Sequence, residues 1–320
     1  MTRRLHRYLP ALAVVLAACG SRPMTAGGPA PAASKASLPR LVTTEELARW
    51  QADGPVLLLD VRTDVFAYLK GHLPGAEYLN TETLRASEGG IPTRLLSAEA
   101  YRALFSRLGI DPEKPVVIYS AGESRNIDAT FTAFLLAAFG HPQVYVLDGG
   151  YSTWQLEQRP IAVHYPRVPT TTFPDRPFRP DTASLDEVRR ASQGGGAVLV
   201  DARSPEQYAG EAGAQMRRGH IPGAINHYWQ NDLTQSGFGH VWKPTGELRR
   251  SYAAQGITPD KDVIAYCNSA TEASHVYFTL RNLLGYPRVR LYVGSWTEWA
   301  EQEDLPVEQG GQADGRTGGR

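Results

Sequence analysis

The chain alternates short apolar runs with longer segments of helical character. Helix boundaries are indicated by two capping-box patterns, at residues 43–46 and 184–187, and by Gly140 and Gly285, which suit the position just after a helix. Strand–helix alternation of this kind predicts an α/β fold built on open, mainly parallel sheets flanked by helices. The apolar runs have the length of buried parallel strands, and they cover residues 56–60, 116–119, 144–147, 198–201, 263–266 and 289–292.

The same order of elements occurs twice. LLDVR at 58–62 returns as LVDAR at 199–203, and GHLPGA at 71–76 returns as GHIPGA at 219–224. A period of about 145 residues has the size of a domain, so the chain is predicted to be a tandem duplication rather than a solenoid. The predicted parts are a first domain at 38–160, a linker with five prolines at 161–181, a second domain at 182–308 and a loose tail at 309–320.

Composition narrows the function classes. The 320 residues carry 33 Lys+Arg and 33 Asp+Glu, so the basic excess of most nucleic-acid binders is absent and no nucleic-acid partner is expected. Two cysteines are too few for a disulfide framework or a cysteine-rich metal centre. No Walker loop, GxGxxG motif or His/Cys metal cluster is evident in the sequence, and neither a metal nor a cofactor is predicted.

The N-terminus suggests a job for the first cysteine. Arg3, Arg4 and Arg7 precede an apolar run that is too short to span a bilayer. The LAAC sequence ending at Cys19 resembles the lipobox of bacterial lipoproteins. That resemblance implies a signal peptide at 1–18, lipidation of Cys19, a flexible tether at 19–37 and attachment to the cell envelope, facing the periplasm or an equivalent space. An ordinary secretory signal and a buried cysteine are the alternatives. Cleavage would leave a formal charge of −3.

The repeated motifs carry a second resemblance. D-x-R follows a strand in both halves, GH[LI]PGA lies in register behind it, and GSWTEW closes the second half at 294–299. In this order the motifs resemble the tandem-domain rhodanese family, which includes thiosulfate and 3-mercaptopyruvate sulfurtransferases. The resemblance implies two α/β domains, of which the second is catalytic. The first carries Ser120 at the cysteine position, which implies that it is inactive and walls the cleft.

Cys267 is the predicted catalytic residue, since it follows a central strand and precedes a helix. Ligands of open α/β sheets bind at the carboxyl ends of strands, and a helix N-terminus favours a thiolate there. Cys267 is expected to take a sulfur atom from a donor as a persulfide and to pass it to a thiophilic acceptor. A small buried apolar thiol is the alternative. The predicted substrate-binding residues are Asn268, Ser269, Ala270, Thr271, Glu272 and Arg203.

The loop departs from the family pattern. Ala270 stands where many members have glycine, Gln207 replaces a frequent arginine, and the loop itself contains no Arg or Lys. Glu272 would raise the thiol pKa if it faced the cysteine; the favoured expectation is that it points outward and complements the helix N-terminus. Possible sources of compensating positive charge are Arg203, His220 and His275. The other expectation is that Arg203 and His220 brace the site, together with Asp201 and Trp296.

Two functions therefore remain open from sequence. The first is a lipid-anchored sulfurtransferase acting on small-molecule donors and acceptors such as thiosulfate or 3-mercaptopyruvate. The second is a non-catalytic envelope module that binds sulfur species or a protein partner. Phosphatase chemistry on a similar fold is disfavoured because Ala273 stands where the phosphate-binding arginine of C-x5-R would be. The sequence does not indicate an oligomeric state.

Overall fold

The computed structural model describes residues 38–122, 127–237 and 239–311. The predicted signal peptide, Cys19, the tether up to residue 37 and residues 312–320 of the tail lie outside the described residues. All the described residues belong to one compact unit, so the two repeats pack directly on each other. Within those residues, no helix is long and apolar enough to cross a membrane.

The first repeat is a five-stranded parallel sheet in the order β1-β7-β6-β2-β3. Its strands β6 and β7 are buried along their whole length, as expected for a parallel sheet with helices on both faces, and β2 is apolar up to its last residue, Asp60. In chain order the elements are β1 (Arg40–Val42), α1 (Thr44–Asp53), β2 (Leu57–Asp60), α2 (Val65–Lys70), β3 (Ala76–Tyr78), a 3₁₀ turn (Thr81–Leu84), β4 (Arg85–Glu88), β5 (Ile91–Leu95), α3 (Ala98–Arg107), β6 (Val116–Tyr119), α4 (Ile127–Ala138), β7 (Val144–Leu147) and α5 (Gly150–Leu156).

The second repeat has a four-stranded parallel sheet in the order β13-β12-β8-β9. A single bridge between Thr182 and Leu291 stands where β1 pairs in the first repeat. The elements are α6 (Leu185–Ser192), β8 (Ala197–Asp201), α7 (Pro205–Ala209), β9 (Ile225–Asn226), a 3₁₀ turn (Trp229–Asp232), β10 (Leu233–Ser236), β11 (Gly239–Trp242), α8 (Thr245–Ala254), β12 (Asp262–Tyr266), α9 (Thr271–Tyr277), a π-helical segment (Phe278–Leu283), β13 (Val289–Leu291) and α10 (Ser295–Glu301).

The predicted α/β repeat is confirmed. Each of the six predicted strands is present to within one residue at either end. Thr43 and Ser184 both form complete capping boxes, and Gly140 and Gly285 both adopt positive φ after their helices. The predicted linker has no helix, and it packs Phe173 against Phe105 and Phe139 of the first repeat.

Two antiparallel hairpins, β4–β5 and β10–β11, were not predicted. Each one reaches across to the other repeat. In β10–β11, the His240 N–H donates to the Gly122 carbonyl oxygen at 2.8 Å, beside Ser120. In β4–β5, the Arg85 guanidinium donates to the Ser269 hydroxyl at 3.3 Å, beside Cys267. The repeats therefore cover each other's strand-end loops reciprocally.

The interface between the repeats is a shared core rather than a loose contact. Helices α4 and α9 pack together, and the Thr130 and Ser274 hydroxyls hydrogen-bond across the junction at 2.7 Å. One cluster of buried apolar side chains includes both Phe134 and Tyr277 and extends into each repeat. Such a core fixes the geometry of any site formed between the repeats.

Candidate active site

Cys267 lies directly after β12, the strand that pairs with both β8 and β13 in the second sheet. Its side chain is buried, with 1% of the residue exposed. Residues 267–270 form a tight loop, and α9 begins at Thr271. The thiol therefore sits where the end of a central strand meets a helix N-terminus, as the sequence predicted.

A serine that the sequence did not single out holds this loop. The Ser295 hydroxyl accepts hydrogen bonds from the N–H groups of Cys267 at 3.3 Å and Ala270 at 3.1 Å, and it donates to the Tyr292 carbonyl at 2.8 Å. Ser295 has φ +53°, and Gly150 has the same φ at the matching position of the first repeat. A serine in this left-handed conformation is strained, but its hydroxyl makes hydrogen bonds that a glycine at this position could not make.

Ala270 is a second strained position. Its φ is +72°, and the residue is fully buried. The family resemblance implies glycine there, which adopts positive φ without steric cost. Keeping an alanine in this conformation costs about 1–2 kcal/mol, so the hydrogen bond from Ala270 to Ser295 must help to offset the strain.

A cavity of about 370 Å³ opens over Cys267 between the two repeats. The second repeat contributes the thiol and its loop, and the first repeat contributes the opposite wall. The residues that line it are Thr63, Glu82, Arg85, Pro92, Thr93, Ile127, Asp128, Cys267, Asn268, Ser269, Thr271 and Glu272.

Arg85 provides the positive charge that the loop itself lacks. Its guanidinium lies 4.2 Å from the ring centroid of Phe131 and donates hydrogen bonds to the Ser269 and Thr271 hydroxyls. Because it comes from the first repeat, 182 residues before Cys267 in the chain, no motif around the cysteine points to it. The turn signal Gly89-Gly90 was the available hint that a hairpin stands here.

The free thiol is harder to ionise than predicted. Burial and, to a smaller extent, the Glu272 carboxylate raise the pKa of Cys267 to about 12. The N–H groups of Ala273 and Ser269 and the charge of Arg85 act in the opposite direction, but they do not outweigh burial. The expectation of a stabilised thiolate in the free protein is therefore wrong, because the site excludes water more strongly than its dipoles favour the anion.

The expectation for Glu272 is also wrong. Its side chain lines the cavity with Cys267 instead of pointing outward. The carboxylate stands in the first turn of α9, where it does complement the helix N-terminus. It nevertheless faces the thiol closely enough to oppose its ionisation.

Replacing Glu272 by glutamine is expected to lower the pKa of Cys267 and to speed its alkylation. At a fixed pH below the pKa, the thiolate fraction increases about ten-fold for each unit by which the pKa falls. Loss of the carboxylate should therefore speed iodoacetamide labelling about three- to ten-fold near pH 8. Rates measured across a pH series test this. Glu82→Gln is the matched control, since Glu82 lines the same cavity but is exposed. Equal rates in Glu272→Gln and the unmodified protein would show that Glu272 does not act on the thiol.

The other predicted residues take different places. Arg203 is buried in a 2.5 Å ion pair with Asp201, donates to the Gly219 carbonyl and stacks on Trp296 at 4.7 Å. Neither Arg203 nor Trp296 lines the cavity; the backbone N–H of Trp296 donates to the Cys267 carbonyl oxygen at 2.9 Å. A role for Arg203 in substrate binding remains a prediction, and its observed partners brace the loop from behind.

The histidines do not supply charge at the cavity either. His220 stacks on Tyr208 at 3.6 Å and pairs with the carbonyl of that residue. His275 is fully buried against Trp242, and burial lowers its pKa, which keeps it neutral. The compensating charge expected from these residues comes from Arg85 instead.

Ser120 is buried at the strand end that matches Cys267. Its hydroxyl accepts the Ala129 N–H at 2.9 Å and so helps to satisfy the start of α4. Within the described ranges, no group of three or more His, Cys, Asp or Glu side chains is arranged to hold a metal ion.

Known proteins are similar to this chain in both sequence and fold. Residues 43–157 and 184–302 each match the Rhodanese-like domain family. A putative thiosulfate sulfurtransferase of Synechococcus elongatus is 38% identical over 291 residues, which cover 88% of each chain. The 3-mercaptopyruvate sulfotransferase SseA of Escherichia coli is similar with a TM-score of 0.71 and 29% identity, over 80% of this chain and 98% of SseA. EanB, solved with a cysteine persulfide and ergothioneine, gives a TM-score of 0.76 and 26% identity, over 85% of this chain and 71% of EanB.

Proposed function

Because the chain belongs to the rhodanese family and is a sulfurtransferase, we propose that the interdomain cavity over Cys267 is the place where it takes up sulfur. The observation that carries this proposal is the buried thiol at the end of β12, facing a cavity that both repeats line. Thiosulfate and 3-mercaptopyruvate are the donor chemistries proposed for it.

Loading leaves one sulfur atom on the enzyme. The Cys267 thiolate attacks the outer sulfur of thiosulfate, the donor S–S bond breaks, and its electron pair leaves with sulfite. With 3-mercaptopyruvate, the C–S bond breaks instead, and the resulting enolate takes the proton of the donor thiol to become pyruvate. Either route gives a Cys267 persulfide without an external oxidant.

Discharge returns the enzyme to its starting state. A thiophilic anion attacks the outer sulfur, the persulfide S–S bond breaks, and its electron pair returns to the Cys267 sulfur. The N–H groups of Ser269 and Ala273 and the Arg85 charge favour negative charge at this point. The buried thiolate is therefore formed where these groups offset part of its desolvation.

The test is a panel of donors read by mass spectrometry of the intact protein. We expect one added sulfur on the peptide that contains Cys267 after incubation with at least one donor, and its loss when a thiol acceptor is added. No added sulfur with either donor would favour the non-catalytic binding module instead.

We also propose that the chain is lipid-anchored through Cys19 and faces the periplasm or an equivalent space. The LAAC sequence and the basic residues before it support this. Metabolic labelling with an alkyne fatty acid is expected to mark the unmodified protein and Cys267→Ser, but not Cys19→Ala, which should move to the soluble fraction. Labelling of Cys19→Ala equal to that of the unmodified protein would exclude Cys19 as the attachment point.

A further inference from the structure

The hairpin β4–β5 presents two buried polar atoms that have no hydrogen-bond partner within the described part of the chain. They are Nε of Arg85 and Oγ1 of Thr93. Both residues line the cavity over Cys267. Leaving a buried donor unpaired costs about 1–3 kcal/mol, so two such atoms on one wall point to a group that arrives with the substrate.

The guanidinium of Arg85 is fixed before any ligand arrives. The Phe131 ring packs on one face of it, and the Ser269 and Thr271 hydroxyls accept two of its hydrogen bonds. Burial lowers the pKa of Arg85, and the negative charge of a Cys267 thiolate raises it again. An anion beside Nε of Arg85 would likewise stabilise the charged guanidinium, and it would accept the hydrogen bond that Nε lacks.

The cavity wall around Arg85 also carries negatively charged side chains, which disfavour a donor with several negative groups. Three carboxylates, Glu82, Asp128 and Glu272, line the cavity with it. The Asp128 carboxylate accepts a hydrogen bond from the Thr81 hydroxyl at 3.4 Å. Among the described residues that line the cavity, Arg85 carries the positive charge, so an anionic group of a donor is best matched beside it, on the side of the first repeat.

We propose that Arg85 and Thr93 bind the anionic group of the sulfur donor, a carboxylate or a sulfonate, while its sulfur atom reaches Cys267. This proposal rests on the sulfurtransfer function proposed above. It makes the first repeat the half that recognises the donor and the second repeat the half that carries the sulfur.

The test compares two alkylating reagents that differ only in charge. Iodoacetate carries a carboxylate, and iodoacetamide is its neutral counterpart. In both reactions the thiolate attacks the CH2 carbon of the reagent and iodide leaves. The ratio of their rates therefore cancels any change in the thiol pKa. We expect Arg85→Gln to lower the iodoacetate-to-iodoacetamide ratio about ten-fold, Thr93→Val to lower it about three-fold, and Arg85→Lys to preserve part of it.

Arg94→Gln is the matched control. Arg94 lies on the same hairpin and carries the same charge, but it pairs with Glu298 at 2.7 Å and lines a different cavity. Its ratio should stay near that of the unmodified protein. An unchanged ratio in both Arg85→Gln and Thr93→Val, or an equal fall in Arg94→Gln, would overturn the proposal.

Donor kinetics separate this inference from the function on which it rests. Arg85→Gln should raise the donor KM far more than it lowers kcat, and the persulfide should still form at high donor concentration. If the unmodified protein forms a persulfide but the iodoacetate-to-iodoacetamide ratio is unchanged in the variants, the sulfurtransfer function is supported and the anion site is contradicted. If no donor loads the unmodified protein while the ratio falls as expected, the anion site stands alone. Where Arg85→Gln does not fold, Thr93→Val and Arg85→Lys carry the same comparison.

Discussion

Replacing Cys267 with serine is expected to reduce sulfur transfer to background, a loss of at least about a thousand-fold. A hydroxyl cannot form a persulfide, and Cys267 is the cysteine that the described residues contain. Intact-protein mass spectrometry should show no added sulfur on the variant, and a sulfite or pyruvate assay should show no turnover. Persulfide formation elsewhere on the variant would contradict the assignment of Cys267.

The duplicated fold provides a matched control for this substitution. Ser120→Cys, made in the Cys267→Ser background, places a thiol at the equivalent strand end of the first repeat. That thiol would lie under β10–β11, where the His240 N–H binds the Gly122 carbonyl, and it would replace the hydroxyl that receives the Ala129 N–H. We expect no recovery of transfer, because a strand-end thiol needs the cavity as well as its position. Recovery would show that the first repeat retains a working site.

Removing the charge of Arg203 should cost more stability than any other substitution considered for the site. Asp201 is 0% exposed, and its carboxylate is matched by the 2.5 Å ion pair. Burial alone lowers the pKa of Arg203, but Asp201 raises it above the usual value. Arg203→Met leaves a buried carboxylate without its cation, so the free energy of unfolding should fall by about 3–5 kcal/mol. Urea unfolding followed by tryptophan fluorescence measures this.

The first repeat contains the same device and serves as the control. Arg62 pairs with Asp60 at 2.6 Å, and Arg62→Met should destabilise the protein by a similar amount. The double variant Asp201→Asn with Arg203→Met removes both charges and should regain much of the loss, since unpaired burial is the costly state. If Arg203→Met unfolds like the unmodified protein but has a higher donor KM, Arg203 binds substrate instead of bracing the loop.

The parts of the fold that repeat were predictable from sequence. Buried strands such as β6 and β7 are continuous apolar runs, and capping boxes such as the one at Ser184 depend on residues close together in the chain. Cys267 was predicted for the same reason, because its position follows from the strand before it and the helix after it. Local sequence is sufficient where local geometry decides the outcome.

The parts that depend on the other repeat were not predictable. Arg85 reaches the loop only because the shared core orients the two repeats, and that orientation leaves no local pattern. The pKa of Cys267 was misjudged because the dipole of α9 is visible in the sequence but the depth of burial is not. Ser295 was part of a recognised motif, yet its bond to the Cys267 N–H depends on a positive φ that the residue type disfavours.

The two hairpins make each repeat part of the surroundings of the other repeat's strand end. The first repeat has a serine, Ser120, at the position that matches Cys267, yet its β4–β5 hairpin covers the thiol of the second repeat. Selection for sulfur transfer therefore acts on the first repeat through this hairpin, although the strand end of that repeat carries no thiol. In a mutational scan for activity, the first repeat should therefore contain both tolerant and intolerant positions, and Arg85 and Thr93 should be among the intolerant ones.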